Sequence, residues 1–441
     1  MISDSKSELK KVLSPIMLWG LGVGYVISGM YFGWNLGLKE GGTYGLGIAT
    51  IFIIILYACF SLSYAELACA IPKAGGVFDY AAKAYGKEIA FIAGISQIIE
   101  FVFAPPAIAF GIGAYFNLAF PDIPIIATSL LAYFIFTLLN IYGVKAAARF
   151  ELLITIVAVI ELLIFAGVTL PHFEITNFQK NNFPFGYAGI FAAIPFAIWF
   201  FLGIEGLANV AEEAKNPQKD IQKSFFVVLA TLISLCIIVF FAAVGVGGWE
   251  KIVFTDGVGG ETSDSPLPLA MKMVVGDSNW MFHLLLTIGL FGLVASFHGL
   301  ILAAGRATYE FGKVGFAPSF LGKINSKFKT PANALLINML IGIIALFTNK
   351  TGEIITIAVI GALTIYIISM FTILKLRKTQ PELNRPYKVP LYPILPIVAL
   401  FLSILALCSI IYFNSLLFGI YLLLLGFSFI IFKKFYRNSN G

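Results

Sequence analysis

An all-α integral membrane fold follows from three features of the chain. Of its 441 residues, 59% are hydrophobic and only 12% charged, where a soluble domain carries roughly 25% charge. Mean hydropathy is +0.93. Apolar stretches long enough to cross a bilayer recur from end to end, and lysine and arginine crowd alternate loops. Twelve transmembrane helices are predicted, near 15–38, 43–70, 89–118, 123–142, 148–170, 187–210, 224–248, 281–304, 331–348, 354–374, 390–413 and 415–432. Short loops join most of them, and no soluble domain is expected.

Charge gives the predicted orientation. If the N-terminus is inside, 24 of the 29 lysines and arginines fall on that side, from Lys6, Lys10 and Lys11 through Lys145 and Arg149 to Lys433, Lys434 and Arg437. Only Lys39, Lys180, Lys251, Lys272 and Lys350 fall on the other. This bias predicts both termini in the cytoplasm, with Tyr309–Thr330 internal and Trp249–Trp280 external. Residues 1–14 and 433–441 are then cytoplasmic tails. Met1–Ser14 is polar, so no cleavable leader is expected. The net charge of +6 is accounted for by this distribution and is no nucleic-acid footprint. Cys59, Cys69, Cys236 and Cys408 stand in apolar runs and are predicted to be buried free thiols. His172, His283 and His298 are scattered, which argues against a metalloenzyme. No glycine cluster precedes a Lys-Ser/Thr pair, so ATP-driven chemistry has no support, and no nucleophile–base pair stands out.

The first span contains GLGVGYVISGMYFGWNLG at Gly20–Gly37. Each glycine inside a helix costs about 1 kcal/mol against alanine, so the stretch serves something besides a straight helix. Gly20, Gly24, Gly33 and Gly37 suit close packing against another helix. The Ile27–Ser28–Gly29 centre suits an interruption that frees backbone groups for a solute. The sixth span, FAAIPFAIWFFLGIEGLANV, offers a second interruption, with Gly203 and Gly206 bracketing Glu205. Five spans separate the two irregular helices, which start on opposite sides. That placement predicts two inverted five-helix repeats, 15–170 and 187–374, each with its first helix broken, followed by two extra helices over 390–432.

Three spaced segments carry a family resemblance. YAELACAIPKAGGVFDY at Tyr64–Tyr80 resembles the second-span exit of amino acid–polyamine–organocation permeases. EGLANVAEEAKNP at Glu205–Pro217 and the segment Gly305–Pro318 with Arg306 resemble that superfamily's sixth- and eighth-span exits. More narrowly, GVGYVISGMYFGWNLGL at Gly22–Leu38 and IIEFVFAPPAIAFGIGAYF at Ile98–Phe116 are similar to the ethanolamine permease branch. The resemblance implies secondary active transport of a small amine-containing solute bound at the first and sixth helix breaks. It departs from proton-coupled relatives in span five, where Ala158 stands about where many of them have a lysine.

Acids inside a membrane span are costly and usually face the bundle interior. Glu100 shares a helical face with Ala104, Ala107 and Gly111. It is read either as counter-charge for an ammonium group or as a structural hydrogen-bonding group, and Phe101 and Phe103 could add a cation–π wall. Glu205 either steadies the interrupted segment or binds the amine. Trp199, Phe200 and Phe201 precede it and could cover a site. Glu161 could carry a proton, with His298 as a possible partner, or could be a paired structural acid. Glu66, Glu151, Glu212 and Glu213, near Lys73, Arg149 and Lys215, are read mainly as weak boundary salt bridges.

The candidate substrate site is therefore Ile27, Ser28, Gly29, Glu100, Phe103, Trp199, Phe201, Gly203 and Glu205, with Glu161 and His298 as coupling candidates. The ammonium is expected at Glu100 or Glu205, and a hydroxyl at the amides of Ser28–Met30. No cofactor and no nucleic-acid partner are expected, only a coupling H⁺ or Na⁺, the lipid bilayer and a small amine. An amino-acid permease of the same fold and a polytopic amine sensor are the alternatives.

Overall fold

The computed structural model describes residues 11–142, 147–255 and 259–439. Lys6, Lys10 and Lys145, counted above for orientation, lie outside the described residues. The chain is helical throughout, with only two isolated bridges and no strand among the described residues. In hydrocarbon a backbone must satisfy its own polar groups, and a helix does so within one segment. We number the principal helices α1 (Pro15–Val26), α2 (Asn35–Ala70), α3 (Lys87–Ala119), α4 (Ile125–Tyr142), α5 (Ala147–Thr169), α6 (Ile194–Trp199), α7 (Pro217–Val244), α8 (Trp280–Lys313), α9 (Ala332–Leu346), α10 (Thr351–Thr379), α11 (Ile394–Phe413) and α12 (Ser415–Ser439).

Ten helical segments are long and apolar enough to cross a membrane. Two predicted spans are shorter. The first is broken, so α1 alone has 12 residues, and α9 has 15. At Gly42, with φ 65° and ψ −172°, α2 bends sharply. The bend falls where the first predicted span ends and the second begins, so 35–41 completes the first span and 43–70 forms the second. A side chain there would be strained at positive φ and would meet Pro184 and Asn182.

The core forms where α3 lies between α8 and α10, while α1 packs on α5, α7 and α8. The apolar stretch of the Ile194–Glu213 segment is wholly buried. By contrast, only 17% of the α12 apolar stretch is buried, so this helix lies at the periphery. Cys59, Cys69 and Cys236 are buried free thiols as predicted. Cys408 is exposed instead, because α11 turns an apolar face outward, where hydrophobicity in sequence does not mean burial in protein.

The face carrying the chain ends is closed. Leu13 N–H donates to the Glu213 carbonyl at 2.9 Å, and Lys215 N–H donates to the Leu13 carbonyl at 3.0 Å. Arg306 reaches Glu213 at 2.8 Å. Nearby, Glu66 is 1% exposed and receives Arg377 through Nε at 2.8 Å and Nη2 at 2.6 Å. It also accepts the Val389 amide at 2.7 Å and has Arg385 at 3.4 Å. These geometries correct the expected weak boundary pairs. Glu66 is a buried, bidentate acceptor, Glu213 pairs with Arg306, and Glu212 accepts the Ala74 amide at 3.2 Å. On the opposite face lies a cavity of about 830 Å³, bordered by Lys39, Glu40, Asn117, Asp264, Lys350 and Glu353 among others.

Candidate functional site

Two interrupted helices meet in the middle of the molecule. Between Gly24 and Ser28 the helical hydrogen bond is replaced by a side chain from α8. The Ser296 hydroxyl donates to the Gly24 carbonyl at 2.6 Å and accepts the Ser28 amide at 2.9 Å. One helical turn, Ser28–Tyr31, follows. The chain then opens fully, with Phe32 extended and Gly33 at φ +86°. The first interruption therefore reaches the predicted Ile27–Ser28–Gly29 centre, but its widest part lies just beyond it. Gly33 is the residue that permits this, because an added Cβ would meet the Trp199 ring. Gly33 thus belongs to the break, whereas Gly20 and Gly24 pack on Leu152, Glu151 and Thr155 of α5.

The sixth span breaks where expected. After α6 the chain turns through Phe200–Leu202, Gly203 takes φ +98°, and a 3₁₀ segment runs over Ile204–Glu213. The two breaks touch, since a Cβ on Gly29 would collide with the Trp199 carbonyl. Aromatic side chains fasten them together. Trp199 Nε1 donates to the Phe32 carbonyl at 3.0 Å, and Trp34 Nε1 to the Met30 carbonyl at 3.2 Å. Trp34 stacks on Phe200 with centroids 5.4 Å apart, and Phe201 lies 5.1 Å from Tyr57. Ile27, Ser28, Gly29, Trp199, Phe201 and Gly203 are all buried at this junction. Phe103 is only partly buried. Phe101 is fully buried and 3.8 Å from where a Gly206 Cβ would stand.

Two of the three amides expected to receive a polar group are already used. Ser28 N–H goes to Ser296, and Met30 N–H goes to the Ile27 carbonyl at 2.9 Å. This narrows the reading that Ser28–Met30 forms an open set of donors.

The acids are placed differently. Glu100 on α3 and Glu205 after Gly203 are fully buried and lie close enough to repel one another. Glu205 Oε2 accepts the Tyr366 hydroxyl at 2.8 Å, and the Tyr366 and Tyr57 hydroxyls are 2.9 Å apart. Apart from each other, neither Glu100 oxygen nor Glu205 Oε1 has a hydrogen-bond partner among the described residues. Gly361 of α10 lets that helix approach Glu100 closely, with a would-be Cβ 3.1 Å from the Glu100 amide nitrogen. One turn further along α3, Pro105 and Pro106 lack amide protons. They cannot donate to the carbonyls four residues back, on Phe101 and Val102. Buried carboxylates beside buried aromatic side chains are groups that suit a cation.

Glu161 on α5 is buried and accepts from the Tyr31 hydroxyl, which also lies 3.0 Å from the Ala158 carbonyl. Tyr115 donates to the Tyr31 carbonyl at 3.1 Å. Glu161 is thus linked to the last turn before Phe32–Gly33. His298 does not pair with it. Its Nδ1 lies 3.5 Å from Glu151 Oε2, and Glu151 is ten residues from Glu161 along α5, about 15 Å of helix. Sequence reasoning missed Tyr57, Tyr366, Ser296 and Asn35. Asn35 accepts the Gly33 amide at 3.0 Å and donates to the Ser263 carbonyl at 2.7 Å.

Comparison with known proteins agrees with this architecture. Residues 13–430 match the profile of the family described as amino acid permease. A branched-chain amino acid permease of Bacillus subtilis (strain 168) is 26% identical over 425 residues, covering 90% of this chain and 88% of its own. A methylthioribose transporter of the same organism is 27% identical, covering 90% and 87%. A low-affinity putrescine importer of Escherichia coli (strain K12) is 26% identical, covering 82% and 80%. With nearly its whole length matched, the chain belongs to the amino acid permease family of the amino acid–polyamine–organocation superfamily, and it is a transporter, not an enzyme.

Proposed function

We propose that this permease imports a small organic amine, ethanolamine or a near analogue, by alternating access driven by a proton or sodium gradient. The observation that carries the reading is the Glu100–Glu205 pair, buried side by side with three oxygens that have no partner outside the pair. An amino acid brings its own carboxylate to a site, whereas an amine without one needs negative charge from the protein. Tyr57, Tyr64, Phe101 and Tyr366 are fully buried aromatics, and three of them lie within electrostatic reach of both acids. The narrower resemblance over Gly22–Leu38 and Ile98–Phe116 points the same way, and one of the relatives is named a putrescine importer.

A second reading, an amino-acid permease, is favoured by the relative named for branched-chain amino acids. Uptake of labelled ethanolamine and of labelled branched-chain amino acids into proteoliposomes separates the two. Under the amine reading, Glu100→Gln lowers ethanolamine binding by roughly two orders of magnitude or more, because breaking a buried charge pair is worth several kcal/mol and each 1.4 kcal/mol is about tenfold. Calorimetry on folded protein reads this directly. Unchanged affinity would return Glu100 to a structural role.

A further inference from the structure

Another buried acid lies nearer the face that carries the termini. Glu151 on α5 and His298 on α8 approach to 3.5 Å, with side chains 2% and 6% exposed. Apart from each other, neither Glu151 nor His298 Nδ1 has a hydrogen-bond partner among the described residues. The pair is pressed against α1. A Cβ on Gly24 would stand 2.7 Å from Glu151 Oε1, and one on Gly299 would stand 3.6 Å from it. Glycine at both places leaves room for the carboxylate between three helices. Few other ionisable groups face this point. Tyr25 comes from α1, in electrostatic contact with Glu151, Arg306 of α8 and Glu213 of the 3₁₀ segment. From α4 comes the Phe136 ring, 6.3 Å from the imidazole.

An ionised carboxylate or an imidazolium alone would be costly in such a place. Together they can hold one proton between them, and a second proton adds one net positive charge to the seam between α1, α5 and α8. The proton count therefore changes how firmly α1 is held. This is also the helix whose approach, Leu13, is fastened to the closed face by Glu213 and Lys215. We propose that Glu151 and His298 together form the proton-binding site that couples transport to a proton gradient. It takes up and releases one proton through the termini face whenever α1 parts from α8. The proposal rests on the gradient-driven reading above and assigns the coupling ion as H⁺.

The test uses the full chain in proteoliposomes, with labelled ethanolamine and a labelled branched-chain amino acid as solutes. Solute exchange without a gradient is measured beside accumulation driven by a pH gradient. Glu151→Gln and His298→Gln are expected to lose driven accumulation at least tenfold while exchange survives, and to flatten the pH dependence of exchange between pH 5 and 8. Driven accumulation at wild-type rates in either folded variant overturns the proposal. So does accumulation driven by sodium at equal pH that neither variant alters. A solute-free measurement decides the site even where wild type moves neither solute, an outcome that sinks the amine reading alone. The chain has three histidines, so the His298 ring resonance can be assigned in labelled protein by its loss in His298→Gln. Its pH response should change in Glu151→Gln. A response indifferent to Glu151 overturns the pairing.

Discussion

Tyr366 illustrates how much a single hydroxyl can carry inside a membrane protein. It is the hydrogen-bond donor to Glu205, and its oxygen also lies against Tyr57. Tyr366→Phe removes that donor and leaves Glu205 with no partner besides Glu100. A hydrogen bond to a charged group is worth about 1.5–3 kcal/mol, so the variant should unfold at a lower temperature in a thermal scan of detergent-solubilised protein. An unshifted transition would mean that Glu205 is neutral there and gains nothing from the bond. At this scale the sequence was legible for the acids and opaque for their partners. A glutamate in a span is rare and needs a reason. A serine or tyrosine in a span is common, and its role depends on what lies across from it. Ser369 and Ser403 bond back to the carbonyl four residues earlier, at 2.6 and 2.7 Å, whereas Ser296 bridges to another helix. No pattern in the chain separates the two kinds.

Among the elements, the break after α6 was readable because Gly203, Glu205 and Gly206 leave little else for the segment to be. The break after α1 was displaced because six glycines offered several places to open, and tertiary partners chose among them. Ser296 selected Gly24–Ser28, and the Trp199 ring selected Gly33. The segment Ser263–Ser265, outside the spans, completes this region. Its Ser263 carbonyl accepts from Asn35, and Asp264 accepts the Thr351 hydroxyl at 2.8 Å, at the start of α10. Burial raises the Asp264 carboxyl to about 6, with the Thr351 bond working against it. A folded-state pKa above the unfolded one means that the folded segment holds more protons between about pH 4 and 6, so its stability falls as pH rises through that window. Amide exchange at Ser263–Ser265, corrected for intrinsic rate, should be slower at pH 5 than at pH 7, and Asp264→Asn should abolish the difference. Equal protection at both values in the wild type would contradict this.

For the whole molecule, the twelve predicted spans and the alternation of basic loops place the termini, Lys73, Arg306 and Lys433 at one end and Lys39 and Lys350 at the other. If the richer end is cytoplasmic, a membrane-impermeant thiol reagent applied to intact cells should label Ser278→Cys and spare Ser326→Cys. The reverse pattern would invert the orientation. Two quite different ties hold the basic end together. Arg306 and Glu213 are partly exposed and join by one contact, a bond that water can replace. Glu66 is buried and held at once by Arg377, Arg385 and the Val389 amide, and parting them would strand a buried charge at a cost of roughly 3–5 kcal/mol. The ends of α2 and α10 are therefore expected to move as one body in any cycle of shape change. They form a mast fixed within the molecule, and probes placed beside Glu66 and Val389 would give a stationary baseline against which the swing of Leu13 and the start of α1 can be measured.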